Sequence, residues 1–146
     1  MNFKNIVIAV DGSPHSANAV KKGLELAAQL SATVTLLNVV DMASLSAVVE
    51  GSIMSPDIYT RFEEEADEIM NKIALKFPTE KMNKVVEEGI PWEVICKTAI
   101  KSKADLIVMG THGRTGISHL FMGSVSESVV RHSEIPVLVV PFHEPE

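Results

Sequence analysis

A glycine-rich stretch at residues 109–126, MGTHGRTGISHLFMGSVS, contains the residue types that bind phosphate. Glycines allow the main chain to approach a phosphate closely and to adopt positive φ angles. Gly123 and Ser124 stand at the start of a predicted helix, whose N-terminal N–H groups and dipole favour an anion. The stretch therefore predicts a phosphate site at this helix. The glycines that precede the helix are Gly110, Gly113 and Gly116.

Polar side chains in the same stretch could complete such a site. Ser124 and Ser126 provide hydroxyl donors, and His112 and Arg114 can add positive charge. No Gly-Lys-Ser or Gly-Lys-Thr of a Walker loop occurs in the chain, and the loop lacks the GxGxxG spacing of dinucleotide-binding folds. A glycine-rich loop that only turns the chain is the alternative.

Asp11 follows the first apolar run of the chain, Ile6 to Val10. Acidic residues in mononucleotide folds accept hydrogen bonds from ribose hydroxyls. The position suits a turn or capping residue equally well, since Ser13 can cap a helix that begins at Pro14. Both interpretations stay open on the local sequence.

Two other groups of reactive residues fit structural roles better than functional ones. The carboxylates between residues 63 and 68 fan around a predicted helix, which is typical of a solvated face and not of a converging metal site. Cys96 lies on the apolar face of another predicted helix, with no cationic neighbour on that face to lower its pKa, which favours an inert thiol. We therefore assign no metal site and no catalytic residue.

The elements that must position these residues are predicted by apolar runs that alternate with amphipathic segments. The predicted strands are residues 6–10, 33–40, 81–87, 104–110 and 136–140, and the predicted helices begin near residues 14, 55, 91 and 123. Most of the strands are apolar throughout, which indicates burial on both faces. Strict alternation of strand and helix demands a parallel sheet with helices on both faces. Residues 41–58 are less regular, and we expect a short helix or a flap there.

Composition restricts the possible classes of protein. The 146 residues predict one domain, residues 1–146, and 13 basic against 19 acidic side chains give a net charge of −6. This balance argues against a general nucleic-acid surface. The single cysteine cannot form an intrachain disulfide, which predicts a reducing compartment, the cytoplasm. No segment approaches the roughly 20 apolar residues of a spanning helix, and none has the pattern of a signal peptide, so we expect neither membrane insertion nor export.

The spacing Gly110-x2-Gly113-x9-Gly123-Ser124 resembles the nucleotide-binding signature of the universal stress protein family, in its ATP-binding branch. The resemblance extends over the whole chain through the segments IVIAVDGS, LLNVVD, GIP, DLIVMG and IPVLVV. It implies a three-layer α/β fold with an open parallel five-stranded sheet in the order 3-2-1-4-5, a Rossmann-like fold that binds adenine nucleotides. The switch point of such a sheet would lie between strands one and four, where Asp11 and Gly110 meet.

The resemblance also implies a role for each part of the site. Val39, with the chain near Asp11 and Gly89, would border the adenine, and Asp11 and Gly110 would hold the ribose. The phosphates would be surrounded by Gly113, Gly123, Ser124, Val125 and Ser126. The expected nucleotide-binding set is completed by Val10, Met109, His112 and Arg114.

A homodimer is a further implication of the resemblance. Proteins of this family often form dimers through the last strand of each subunit, and Val137, Val139 and Val140 would suit antiparallel pairing of two such edge strands. A final strand that is simply buried under helices is the alternative.

The function implied by the resemblance is that of a stress-response module regulated by bound ATP, which could bind together with Mg²⁺. Two other functions stay open. Slow ATP hydrolysis or phosphotransfer would need a base within hydrogen-bond reach of the γ-phosphate, for which His112, His119 and Asp41 are candidates. A partner-binding scaffold without nucleotide is the other, although the complete glycine signature argues against it.

Overall fold

The computed structural model describes residues 2–43, 56–77, 81–111 and 122–142, in which strands alternate with helices. The strands are β1 (Asn5–Val10), β2 (Thr33–Asp41), β3 (Met82–Gly89), β4 (Leu106–Gly110) and β5 (Val137–Val140). The helices are α1 (Pro14–Leu30), α2 (Pro56–Lys76), α3 (Pro91–Lys101) and α4 (Ser124–His132). These bounds agree with the predicted ones to within two residues. Most of the irregular segment at 41–58 lies outside the described residues.

The five strands form one parallel sheet in the order β3-β2-β1-β4-β5. This order confirms the predicted α/β architecture. The order in which successive strands are added to the sheet reverses between β1 and β4: β2 and β3 lie on one side of β1, and β4 and β5 lie on the other. The carboxyl ends of these two central strands therefore lie side by side, at the end of the sheet where all five strands finish.

Helices cover both faces of the sheet, and each face has its own core. Because successive side chains of a strand point to opposite faces, a strand without polar alternation contributes to both cores. In β1, Ile6 and Ile8 belong to the core under α1 and α2, whereas Val7 belongs to the core under α3 and α4. We call these the α1–α2 core and the α3–α4 core. Most of the strand residues that build them are buried, and the others are half-buried at the margins of the two cores.

The start of α1 follows the predicted capping pattern. The Oγ atom of Ser13 accepts from the N–H of Ser16 at 3.1 Å, and Pro14 occupies the first turn, where its missing N–H is harmless. Further along the helix, Gly23 allows close packing on the sheet, since a Cβ atom there would lie 2.7 Å from Cδ1 of Ile8. This capping and packing fix where α1 begins relative to the end of β1.

The acidic run on α2 is a solvent-facing surface, as the sequence predicted. The five carboxylate residues at 63, 64, 65, 67 and 68 are exposed. Ala66 and Met70 are buried, and Ile69 and Ile73 pack against the α1–α2 core. Among the described residues, no helix combines the length and the apolar character needed to cross a membrane.

Candidate functional site

The turn after β1 is closed by hydrogen bonds around Asp11. Its Oδ1 atom accepts from the N–H of Ser13 at 2.8 Å, and its own N–H donates to Oγ of Ser16 at 3.0 Å. Gly12 has a φ angle of 84°, a conformation that favours glycine. The carboxylate of Asp11 therefore serves the turn and is held at the carboxyl end of β1.

Gly110 ends β4 in contact with the first turn of α1. A Cβ atom at this position would lie 2.9 Å from the carbonyl oxygen of His15 and 3.0 Å from its carbonyl carbon. Because the obstacle is backbone, a larger residue would have to move either the strand or the helix. The sequence offered only contacts with a ligand as the reason for this glycine, and the packing against His15 is a reason independent of any ligand.

The carbonyl oxygen of Thr111 joins the two ends of the loop between β4 and α4. It accepts from the N–H of Gly123 at 2.6 Å and from the hydroxyl of Ser126 at 2.7 Å. Ser126 is buried, with 2% exposure, so its hydroxyl acts inside the protein. A donor from Ser126 to a ligand would have to be its main-chain N–H.

The residue that immediately precedes α4 provides no side-chain cap. This N-cap residue is Gly123, in extended conformation, which has no side chain to accept a hydrogen bond from the first N–H groups of the helix. Those groups belong to Ser124, Val125 and Ser126, and the helix dipole adds partial positive charge there. The acidic side chain of the first turn, Glu127, pairs with Arg131 at 2.8 Å, which offsets its charge. This end of α4 can accept an anion.

The predicted adenine-bordering residues lie at the ends of β2 and β3. Gly89 is paired in register with Asp41 and has a φ angle of 141°. A Cβ atom at Gly89 would also lie 2.9 Å from Cγ2 of Val94, so both conformation and space favour glycine. Val39 is half-buried and packs against the α3–α4 core.

Val10 and Met109 are buried strand residues next to the switch point. The side chain of Val10 lies in the α1–α2 core and that of Met109 in the α3–α4 core. Because their side chains are buried in the two cores, each would offer main-chain groups to a ligand at the carboxyl end of the sheet. The predicted site residues His112, Gly113 and Arg114 lie outside the described residues, as does His119.

These residues come together at the carboxyl end of the sheet. Asp11 follows β1 and Gly110 ends the neighbouring strand β4, and Thr111 ties the end of β4 to the start of α4. A carboxylate acceptor and an anion-accepting helix end are the groups that a ribose and a phosphate require. In the described part of the chain, no three His, Cys, Asp or Glu side chains are grouped as a metal site would need.

Cys96 and Trp92 have structural roles in α3. Burial raises the pKa of the Cys96 thiol, which makes the reactive thiolate scarcer, as the sequence predicted for an inert cysteine. Trp92 packs against the α3–α4 core, and its ring stacks on that of His132 at a centroid distance of 4.3 Å. The stack joins α3 to α4.

Sequence reasoning missed His15 and Thr111. His15 supplies the backbone against which Gly110 packs, and Thr111 supplies the carbonyl that closes the loop. Both act through main-chain atoms, which any residue type carries. No sequence pattern could have singled them out.

Comparisons with known proteins agree with this fold. The model of the universal stress protein family matches residues 2–141. Universal stress protein MJ0531 of Methanocaldococcus jannaschii is 39% identical over 142 residues, which cover 94% of this chain and 82% of that protein. The solved structure of hypothetical protein MJ0577 has a TM-score of 0.86 at 30% identity and covers 99% of this chain and 100% of its own. A universal stress protein solved in complex with cAMP has the same fold, with a TM-score of 0.67 at 24% identity over 97% of this chain and 98% of its own.

Proposed function

The chain belongs to the universal stress protein family, and we propose that it binds ATP as a regulatory ligand. In this proposal the bound nucleotide changes the contacts that the protein makes with its partners during stress. The observation that carries the proposal is the N-terminus of α4, where the N-cap Gly123 provides no side-chain acceptor and donates its own N–H to the Thr111 carbonyl at the end of β4. An anion-accepting helix end at a sheet switch point is a common place for the phosphates of a nucleotide.

The proposal gives each neighbouring group a role. The carboxylate of Asp11 would accept from the ribose hydroxyls, and the chain at Val39 and Gly89 would border the adenine. The N–H groups at the start of α4 would bind the phosphates, together with Gly113, His112 and Arg114. Mg²⁺ would arrive with the phosphates, since it is commonly bound by few protein carboxylates.

The family's fold is compatible with such a ligand. The universal stress protein solved with cAMP holds an adenine nucleotide on the same fold. In this chain, the glycines at 89, 110 and 123 leave the carboxyl end of the sheet, where a nucleotide would lie, without side chains at these three positions.

Isothermal titration calorimetry with MgATP on nucleotide-stripped protein tests the proposal. We expect saturable binding to the wild type. Gly123→Val should weaken it at least about tenfold, because a branched side chain would stand at the mouth of the helix and obstruct the phosphates. Gly123 has a φ angle of −65°, which a valine can adopt, so the variant should fold.

Two further variants make the calorimetry specific. Asp11→Asn keeps an oxygen that can accept from the N–H of Ser13 but removes the charge, and it should weaken binding about tenfold through the ribose contact. Ser128→Val, one turn further along α4, should leave the affinity unchanged. Absence of heat from the wild type, or equal affinities of wild type and Gly123→Val, would refute the proposal.

We also propose that two copies pair through β5 as a homodimer. The residues that would meet are Val137, Val139 and Val140, with antiparallel strands as in other edge-paired dimers.

We propose the cytoplasm as the compartment in which the protein works, because its single cysteine cannot form an intrachain disulfide and a reducing compartment suits such a chain.

A further inference from the structure

The chain turns onto α1 as soon as it leaves β5. Val140, the last residue of β5, is paired in register with Gly110 and is buried. The next carbonyl, that of Pro141, accepts from Nδ2 of Asn18 at 3.0 Å. The ring of Phe142 then meets the ring of His15 edge-on, with a centroid distance of 5.0 Å and an interplanar angle of 67°. Two separate contacts therefore tie the segment after β5 to α1.

The part of α1 that receives Phe142 is the part that orients Asp11. His15 lies between Ser13, whose N–H donates to the Asp11 carboxylate, and Ser16, whose Oγ accepts from the Asp11 N–H. The backbone of His15 is also the surface against which Gly110 packs. Any movement of this turn would displace Asp11 and the end of β4 together.

The first turn of a helix is the part most prone to open, since its N–H groups lack partners within the helix. Aromatic rings that meet edge-on attract each other in this geometry. Phe142 is half-buried and extends from a strand whose last residue is fixed in the sheet. It can therefore restrain the turn from outside the helix.

We propose that Phe142 is a positioning residue that holds the first turn of α1, and through it the Asp11 carboxylate, in place for a nucleotide. The effect on nucleotide affinity rests on the proposed function, whereas the restraint on the turn does not. Phe142 acts through His15 and the Ser13–Ser16 turn and does not itself touch the ligand. The segment after β5 thereby joins the far end of the chain to the candidate site.

Amide hydrogen exchange without nucleotide and calorimetry with MgATP test the two halves of this inference on the full chain. In Phe142→Ala we expect faster exchange across residues 11–16. We also expect binding about three- to tenfold weaker, a range that matches loss of one aromatic contact. Phe142→Tyr keeps an aromatic edge and should restore both. Leu75→Ala, which truncates an apolar side chain 83% exposed on α2, should change neither.

A double-mutant cycle distinguishes positioning from general destabilisation. If Phe142 acts through Asp11, its truncation should weaken MgATP binding in the wild type and have a much smaller effect in the Asp11→Asn background. Unchanged exchange at residues 11–16 in Phe142→Ala would overturn the inference. So would unchanged affinity despite faster exchange, or an undiminished effect in the Asp11→Asn background. If the wild type binds no MgATP, the proposed function fails, and the exchange rates alone decide whether Phe142 restrains the turn.

Discussion

Gly110 satisfies two requirements that come from different parts of the molecule. It belongs to the glycine signature that predicts nucleotide binding, and it is also the point where β4 meets the backbone of α1. The second requirement is independent of any ligand. Substitution at this position should therefore reduce stability even when no nucleotide is present.

We expect Gly110→Ala to lower the free energy of unfolding by about 1–3 kcal/mol, as for overpacking of a rigid site. The added Cβ atom would lie 2.9 Å from the His15 carbonyl oxygen, and backbone cannot rotate away as a side chain can. Urea denaturation of nucleotide-free protein gives the measurement.

Gly23→Ala is the matched control for this glycine. Its added Cβ atom would meet only side-chain atoms, of which the nearest is Cδ1 of Ile8 at 2.7 Å, and the end of a side chain yields more readily than backbone. Alanine also favours a helix over glycine by roughly 0.5–1 kcal/mol. The loss should be smaller than for Gly110→Ala, and equal losses would contradict the explanation by rigid backbone.

At this scale the sequence identified residue types but not all of their partners. Asp11, Gly89 and Gly110 could be predicted as special because few residue types suit a turn or a close approach. The hydroxyl of Ser126 was expected to face a phosphate, yet it donates to Thr111, 15 positions away. That contact depends on how the loop closes, which no local pattern encodes.

Among the elements, the starts of β1 and β4 are joined by one carboxylate. Oδ2 of Asp105 accepts from the N–H of Lys4 at 2.8 Å and from the N–H of Asn5 at 2.9 Å. The hydrogen bonds from Asn5 and Lys4 lower the pKa of Asp105 below its ordinary value. The charged carboxylate is therefore the form that the folded protein stabilises.

Asp105→Asn should lower the melting temperature at neutral pH, since the uncharged amide is a weaker acceptor for two N–H groups. Because the folded pKa lies below the unfolded one, the stabilisation is complete above the unfolded pKa and is lost as the pH falls through the folded pKa. The difference between wild type and variant should thus shrink below about pH 4.

Thermal unfolding across a pH series checks this expectation. Glu64→Gln, on the exposed face of α2, serves as the control and should show no such pH-dependent difference. A difference between wild type and Asp105→Asn that persists at low pH would show that the charge is not responsible.

The elements were the most predictable level of this structure. Continuous apolar runs made the central strands evident, because both faces of β1 and β4 are buried. The error was largest at strand ends, where β3 continues to Gly89 beyond the predicted Glu87. Its last residues pair with β2 through main-chain groups, and their exposed side chains, Glu87 and Glu88, conceal that pairing from the sequence.

The two edges of the whole sheet differ in chemistry. The β3 edge carries exposed polar residues, Asn83, Lys84, Glu87 and Glu88, which discourage pairing with another strand. The β5 edge is apolar, and Leu138 is 39% exposed. The sheet order itself was expected from the family resemblance, since alternation of elements alone allows several orders.

Leu138→Lys should convert the proposed homodimer into a monomer, because a charge on an edge strand opposes pairing of two copies. Analytical ultracentrifugation of wild type and variant measures the mass. Glu87→Lys, on the opposite edge, should leave the dimer intact. A monomeric wild type, or a variant that remains dimeric, would contradict pairing through β5.

The stack of Trp92 on His132 has a consequence for spectroscopy. Trp92 is the sole tryptophan of the chain, so indole fluorescence arises from one position. We expect its emission to respond to the imidazole ring of His132, on which the indole stacks in the last turn of α4. The protein thus contains an unlabelled optical probe of the distance between α3 and α4. A shift of α4 when an anion binds at its N-terminus should therefore change the intensity or wavelength of the tryptophan emission.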